Sequence, residues 1–223
     1  MVLGQEFEGV PYARVWPMES PTNDFEGPAS SAPADRTPGR SNSQRLGRSD
    51  WVDAALRELA VGGLGSLSIE RLATELGATK GSFYWHFTNR SALIDAALAE
   101  WERRDTDQLI ERASEIDDPR ERLRWLFRVV FSDAGDVGID TALLADAQDP
   151  AVAAALTRVA TKRLSYIEAQ YKQMGTKAAA HRAVLTYTAF VGLAQLRHST
   201  PALAPQGRRS TNYLSHIAEW LID

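Results

Sequence analysis

Cysteine is absent from the 223 residues, which excludes disulfide bonds and thiolate metal sites. The four histidines show no HxxxH or HxH spacing, so zinc-hydrolase chemistry has no support. No apolar run reaches the roughly 18–20 residues of a membrane-spanning helix, and the amino terminus lacks a basic patch followed by an apolar stretch. These absences predict a soluble, cytoplasmic protein without a metal or other cofactor.

Catalytic motifs and an excess of positive charge are missing as well. The chain has no nucleophile elbow, phosphate-binding loop or Rossmann glycine pattern, so we expect that it is not an enzyme. Its net charge is −4, and residues 45–104 carry eight basic and eight acidic side chains. Bulk charge therefore does not favour nucleic-acid binding, and such a function has to rest on the local distribution of charge.

Composition divides the chain into a tail and a helical part. The first 44 residues are rich in Pro, Ser, Gly, Asn and acidic residues and have no sustained apolar period, which predicts a disordered tail at 1–44. From Leu46 onward apolar residues recur with the helical period, and no alternating strand pattern appears. The sequence therefore predicts an all-α fold with domains at 45–104 and 105–223.

Capping residues and glycines divide this part into helices. The expected helices run from Ser49 to Gly62-Gly63, from Ser68 to Gly77, after Thr79, and from Asn89 to about Arg104. Further helices are expected at about 120–133, 139–147, 150–174, 176–197 and 210–222, the third with Asp149 as N-cap and Pro150 at its first position.

The second and third helices are short and separated by a tight turn, which is the geometry of a helix-turn-helix unit. Gly77 suits this turn because glycine adopts backbone angles that other residues avoid. The spacing predicts that Phe83 and Phe87 are buried and that the other side of the third helix faces outward. A DNA major groove about 12 Å wide admits one such helix.

The outward residues match groups that DNA presents. Lys80 and Ser82 suit base edges, Gly81 allows close approach of the backbone, and hydroxyl and basic groups suit phosphates. No acidic residue lies between Glu75 and Asp95, which predicts an acid-free strip. The expected DNA-binding residues are Ser68, Thr79, Lys80, Gly81, Ser82, Tyr84, Trp85, His86 and Arg90. The alternative for Tyr84, Trp85 and His86 is a packing role.

The stretch from Leu76 to Leu93 resembles the DNA-binding signature of the tetracycline-repressor (TetR) family, and the resemblance covers about 48–101. The family pattern is an alanine-bearing second helix, a glycine turn, an aromatic Y-x-H-F block, a basic residue and a leucine. Those places are held in order by Ala73, Gly77, Tyr84-Trp85-His86-Phe87, Arg90 and Leu93. Arg90 stands where the family usually has lysine, which keeps the charge but changes the phosphate geometry.

The resemblance implies a three-helix DNA-binding domain followed by a helical ligand-binding and dimerisation domain. The implied function is a transcriptional repressor, released from a palindromic double-stranded operator by a small-molecule effector. A homodimer is expected through the helices at about 176–197 and 210–222, because small residues on the first, such as Ala179 and Ala183, permit close approach of helices. The alternative for these helices is an ordinary core within one chain. The candidate effector-pocket residues are Trp125, Phe127, Phe131, Tyr166, Tyr187, Phe190 and Gln195. The alternatives are core packing for these residues, and for the protein a fold that no longer recognises an operator.

Overall fold

The computed structural model describes residues 46–131, 138–205 and 208–222. Every regular element in these ranges is helical, which confirms the predicted all-α fold class. The helices are α1 (Arg48–Ser66), α2 (Ile69–Glu75), α3 (Lys80–His86), α4 (Arg90–Glu102), a π-helical turn (Arg103–Asp107), α5 (Gln108–Ser114), α6 (Pro119–Phe131), α7 (Gly138–Ala145), α8 (Pro150–Gln173), α9 (Ala179–Ser199) and α10 (Arg208–Ile222). The predicted tail at 1–44 lies outside the described residues.

Side-chain caps start α2, α3 and α4 where the sequence predicts them. Ser68, Thr79 and Asn89 each accept a hydrogen bond from the backbone amide three residues ahead, at 3.5, 3.2 and 2.8 Å. Such caps satisfy amides that have no partner inside the helix. Gly77, which follows α2, has a φ of +61° and makes the expected tight turn. The helix-turn-helix geometry is therefore confirmed.

The first helix differs from its prediction at both ends. It begins after Gly47 instead of Ser49, and the Gly47 amide donates to the Asp50 carboxylate at 2.6 Å. Gly62-Gly63 does not end α1 but kinks it, because Gly63 has φ +61° and ψ −163° and the helix then continues to Ser66.

The fourth helix was expected to end near Arg104. It ends at Glu102, but helical conformation continues through the π-helical turn into α5. This helical segment crosses the expected boundary between 45–104 and 105–223, and that boundary stays a prediction. A smaller difference concerns α9, which begins at Ala179 instead of Thr176.

Aromatic side chains form the core under the helix-turn-helix. Phe83 is fully buried and its ring meets that of Trp51 edge to face, with centroids 5.4 Å apart. Phe87 and Leu93 are also buried, as predicted. Each buried side chain of this size contributes roughly 1.5–3 kcal/mol, so this core fixes the orientation of α3.

A second core lies among α6, α8, α9 and α10. Its buried members include Leu123, Phe127, Tyr171 and Leu193. The Tyr171 hydroxyl is 2.7 Å from the Thr186 hydroxyl, so the buried tyrosine has a hydrogen-bond partner. None of the described helices is long and apolar enough to cross a bilayer.

A buried carboxylate joins α4 to α8. Glu102 lies 3.1 Å from Arg158 and 2.7 Å from Lys162. Desolvation favours the protonated form of Glu102, but hydrogen bonds from Lys162 and Arg158 outweigh it and lower its pKa. The carboxylate is therefore ionised and paired at neutral pH.

Candidate nucleic-acid interface

Helix α3 presents one aromatic and polar face to solvent. Trp85 is 89% exposed and Tyr84 is 55% exposed, although the neighbouring Phe83 is fully buried. The alternative interpretation, that Trp85 packs inside the described part of the chain, is therefore wrong. A tryptophan left in water forgoes one of the largest burial gains that a side chain offers, which marks this face as a candidate contact surface.

The first turn of α3 combines a glycine and short hydroxyl side chains. Gly81 is exposed, and an added Cβ would meet only the Thr79 hydroxyl at 3.7 Å, so the fold itself does not require glycine there. The Thr79 hydroxyl accepts from the Ser82 amide and keeps its own proton for donation. Ser82 and His86 are half-buried, and their contacts to DNA stay predictions.

Lys80 lies in the strip between Glu75 and Asp95, which has no acidic residue in the sequence, but in the fold it has an acidic neighbour. Its ammonium forms an ion pair with Glu70 on α2, and the other carboxylate oxygen of Glu70 accepts from the Ser68 hydroxyl at 3.1 Å. The hydrogen bond from Lys80 is the largest of the causes that lower the pKa of Glu70 to about 2. The strip between Glu75 and Asp95 therefore has an acidic group beside it in space, which the predicted acid-free strip did not include.

Sequence reasoning missed Glu70 because it treated charge along the chain only. Glu70 is exposed on α2 although it lies three residues before the buried Ala73, and helical spacing alone gives no signal of its contact with Lys80. The turn at Gly77 folds the first turn of α3 back toward Glu70, which brings Lys80 within reach.

Arg90 is engaged inside the chain. Its Nε donates to the Leu67 carbonyl at 3.0 Å, and its Nη2 donates to the Leu64 carbonyl. The planar guanidinium donates from two nitrogens and so binds both carbonyls at once. A lysine has a single ammonium nitrogen and does not offer this geometry. Arg90 thus ties the start of α4 to the end of α1, and a phosphate contact by Arg90 stays a prediction.

The kink of α1 contacts the end of α7. The Leu64 amide donates to the Asp146 carboxylate at 2.5 Å, and a Cβ added to Gly63 would collide with that carboxylate. The sequence pattern did not single out Asp146, because its partner lies 82 residues away. This contact joins the helix-turn-helix segment to the C-terminal helices.

A buried basic group lies at the other end of α7. Arg163 forms an ion pair with Asp140 at 2.9 Å, with side chains 13% and 15% exposed. Its guanidinium also lies 5.6 Å from the centre of the Phe190 ring. Phe190 and Tyr187 neighbour each other with ring centroids 6.2 Å apart, and burial raises the pKa of Tyr187.

The other candidate effector residues that the structure describes lie at several places, and Phe190 itself packs against the second core. Phe127 belongs to the second core, Tyr166 lies 3.3 Å from the Ser114 hydroxyl, and Gln195 is exposed. Trp125 is half-buried, with the Arg112 guanidinium over its ring at 5.4 Å. The side chain of Phe131 lies outside the described residues. An effector role for all seven residues stays a prediction.

Helices α9 and α10 expose large apolar side chains. Val184, Leu185 and Leu196 on α9 are 52%, 56% and 41% exposed, and Trp220 on α10 is 72% exposed. Two of the small residues expected at a dimer face, Ala179 and Ala183, are instead buried inside the chain. The apolar side chains, more than the small residues, therefore define the candidate contact surface on these helices.

Residues 52–107 match the model of bacterial regulatory proteins of the tetR family. Tetracycline repressor protein class D of Escherichia coli is 38% identical over 71 residues, which make up 32% of this chain and 33% of that protein. The HTH-type transcriptional regulator TtgR of Pseudomonas putida is 32% identical over 89 residues, 39% of this chain and 41% of that protein. The chain thus spans well under half of these curated relatives.

The likeness in structure extends further along the chain. The crystal structure of a transcriptional regulator from Rhodococcus sp. Rha1 matches with a TM-score of 0.64 at 23% identity, and the match covers 79% of this chain and 94% of that one. The shared fold therefore includes the helical C-terminal half as well as the helix-turn-helix. The helix-turn-helix segment is therefore similar to that of the tetR family of bacterial regulatory proteins, and it lies within a fold shared with the Rhodococcus regulator.

Proposed function

We propose that the protein is a sequence-specific DNA-binding regulator of transcription, with α3 as its recognition helix. The observation that carries this proposal is the exposed face of α3, where Lys80, Tyr84 and Trp85 face solvent beside a fully buried Phe83. A seven-residue helix fixed by its own core and exposed on the other side fits the major groove. Lys80 and Ser82 then face base edges, and Tyr84 suits a phosphate.

The proposal includes a homodimer formed through α9 and α10. The exposed Leu185 and Trp220 support it, because burying such side chains against a second copy removes apolar surface from water. A twofold dimer with recognition helices about 34–36 Å apart would meet successive major grooves of a palindromic operator.

We further propose a repressor that a small molecule releases from DNA. The Arg163 cluster with Tyr187 and Phe190 offers buried polar and aromatic contacts, and α7 links this cluster through Asp140 to the Asp146 contact with α1. A ligand that binds one arrangement of α7 more tightly would shift the population of DNA-binding conformations.

The DNA-binding proposal is tested by fluorescence anisotropy of the full chain on duplexes tiled across the DNA upstream of its own gene, at several salt concentrations. Lys80→Ala should weaken binding and lower the salt slope by about one. Lys172→Ala is the matched control, because Lys172 also forms an exposed ion pair, with Glu168 at 2.7 Å, but on α8. Salt-independent binding, or equal losses in the two variants, would contradict the proposal.

A further inference from the structure

An exposed ion pair lies between the first turns of α2 and α3. The Lys80 and Glu70 side chains are 54% and 65% exposed, so solvent and any approaching molecule reach both charges. The Glu70 carboxylate is held from two sides, by Lys80 and by the Ser68 hydroxyl at 3.1 Å. The pair thus places an acceptor and a donor side by side on one exposed surface.

A carboxylate at this place opposes DNA binding unless it gains a partner there. Phosphates repel it, and the proposed docking of α3 brings Glu70 to the same groove as Lys80. In the major groove an exocyclic amine is the group that donates a hydrogen bond to a carboxylate, and cytosine N4 is the usual partner of Glu. Guanine O6 and N7 are the matching acceptors for the Lys80 ammonium. The arrangement of charges on the protein therefore complements a G·C-containing step.

We propose that Glu70 is a specificity-determining residue, which accepts a hydrogen bond from a cytosine N4 amine next to the guanine contacted by Lys80. This inference rests on the proposed function, since it requires α3 to enter the major groove. It adds a base contact from α2, so that residues of two helices, α2 and α3, determine which bases are preferred. It also gives the Glu70 carboxylate a partner on DNA when the Lys80 ammonium turns to guanine.

The competing role for Glu70 is to orient Lys80 without touching a base. In that case removing the carboxylate changes the affinity for every sequence together, and the preferred bases stay the same. Removing a base contact instead lowers the discrimination at one position of the site. The two roles therefore differ in a measurement of sequence preference rather than of affinity.

The experiment selects bound sequences from a randomised 24-base-pair duplex library with the full chain, and compares the wild type with Glu70→Gln and Glu70→Asp. Glu70→Asp keeps the charge but shortens the side chain by one methylene, so it separates geometry from electrostatics. Glu75→Gln is the matched control, because Glu75 lies on the same helix and forms an exposed ion pair with Arg57 at 2.6 Å. Circular dichroism melting of each variant verifies that it is folded.

The wild type should select a motif with a cytosine at one position of each half-site. Both Glu70 variants should reduce the preference for that cytosine about tenfold, and Glu75→Gln should leave it unchanged. An unchanged motif in the Glu70 variants, or an equal change in Glu75→Gln, would overturn the inference while leaving the proposed function intact. A wild type that selects no motif at all would instead contradict the proposed function.

Discussion

Replacing Gly63 with alanine is expected to destabilise the protein through the contact between α1 and α7. Gly63 has a φ of +61°, a region that side chains other than glycine rarely adopt, and this strain costs about 1–3 kcal/mol. The added Cβ would also displace the Asp146 carboxylate from the Leu64 amide. Losing a hydrogen bond to a charged group costs a further 1.5–3 kcal/mol or so. The expected total is about 2.5–6 kcal/mol.

A double-mutant cycle separates the two contributions. Urea unfolding followed by circular dichroism gives the free energy of unfolding for the wild type, Gly63→Ala, Asp146→Ala and the double variant. In the Asp146→Ala background, Gly63→Ala should cost only the backbone strain, so the coupling free energy should be about 1.5–3 kcal/mol. A coupling free energy indistinguishable from zero would refute the reasoning, because it would mean that Asp146 does not support the kink.

Three other predictions test separate parts of the account. Asp140→Asn removes one charge of the buried pair with Arg163 and should lower the free energy of unfolding by about 3–5 kcal/mol in urea. The pKa of Glu102 is lower in the folded chain than in the unfolded chain, so the unfolded chain binds more protons in acid and stability should fall as the pH drops below about 5. Glu102→Gln should weaken this pH dependence of the free energy of unfolding, measured by acid titration. Trp85→Ala should change stability by less than about 0.5 kcal/mol but weaken DNA binding, whereas Phe83→Ala should cost about 3–5 kcal/mol.

Each of these has a contrary outcome. An unchanged midpoint for Asp140→Asn would show that Arg163 is solvated and not held by its partner. An equally steep acid transition in Glu102→Gln would place the titrating carboxylate elsewhere. A large loss of stability in Trp85→Ala would return that residue to a packing role.

The elements that sequence predicted well are those fixed by contacts within a few residues. The caps at Ser68, Thr79 and Asn89 each bond an amide three residues ahead, so the residue type and its spacing were sufficient. The burial of Phe83 and Phe87 followed from their i, i+4 spacing in the same way.

The features that sequence missed depend on partners in other helices. The kink at Gly63 is supported by Asp146, and the predicted helix end at Gly62-Gly63 followed from composition alone. Lys80 gained its acidic neighbour from α2, while Arg90 found two carbonyls at the end of α1. Neither the spacing nor the local charge of a single segment contains such information.

The most direct test of the central claim is a dimethyl sulfate protection experiment on the duplex that the protein binds most tightly. The reagent methylates guanine N7 in the major groove and adenine N3 in the minor groove. With α3 as the recognition helix, the wild type should protect at least one guanine N7 in each half-site, and Lys80→Ala should lose that protection at equal occupancy. Protection confined to adenine N3, or guanine protection that Lys80→Ala retains in full, would contradict the account.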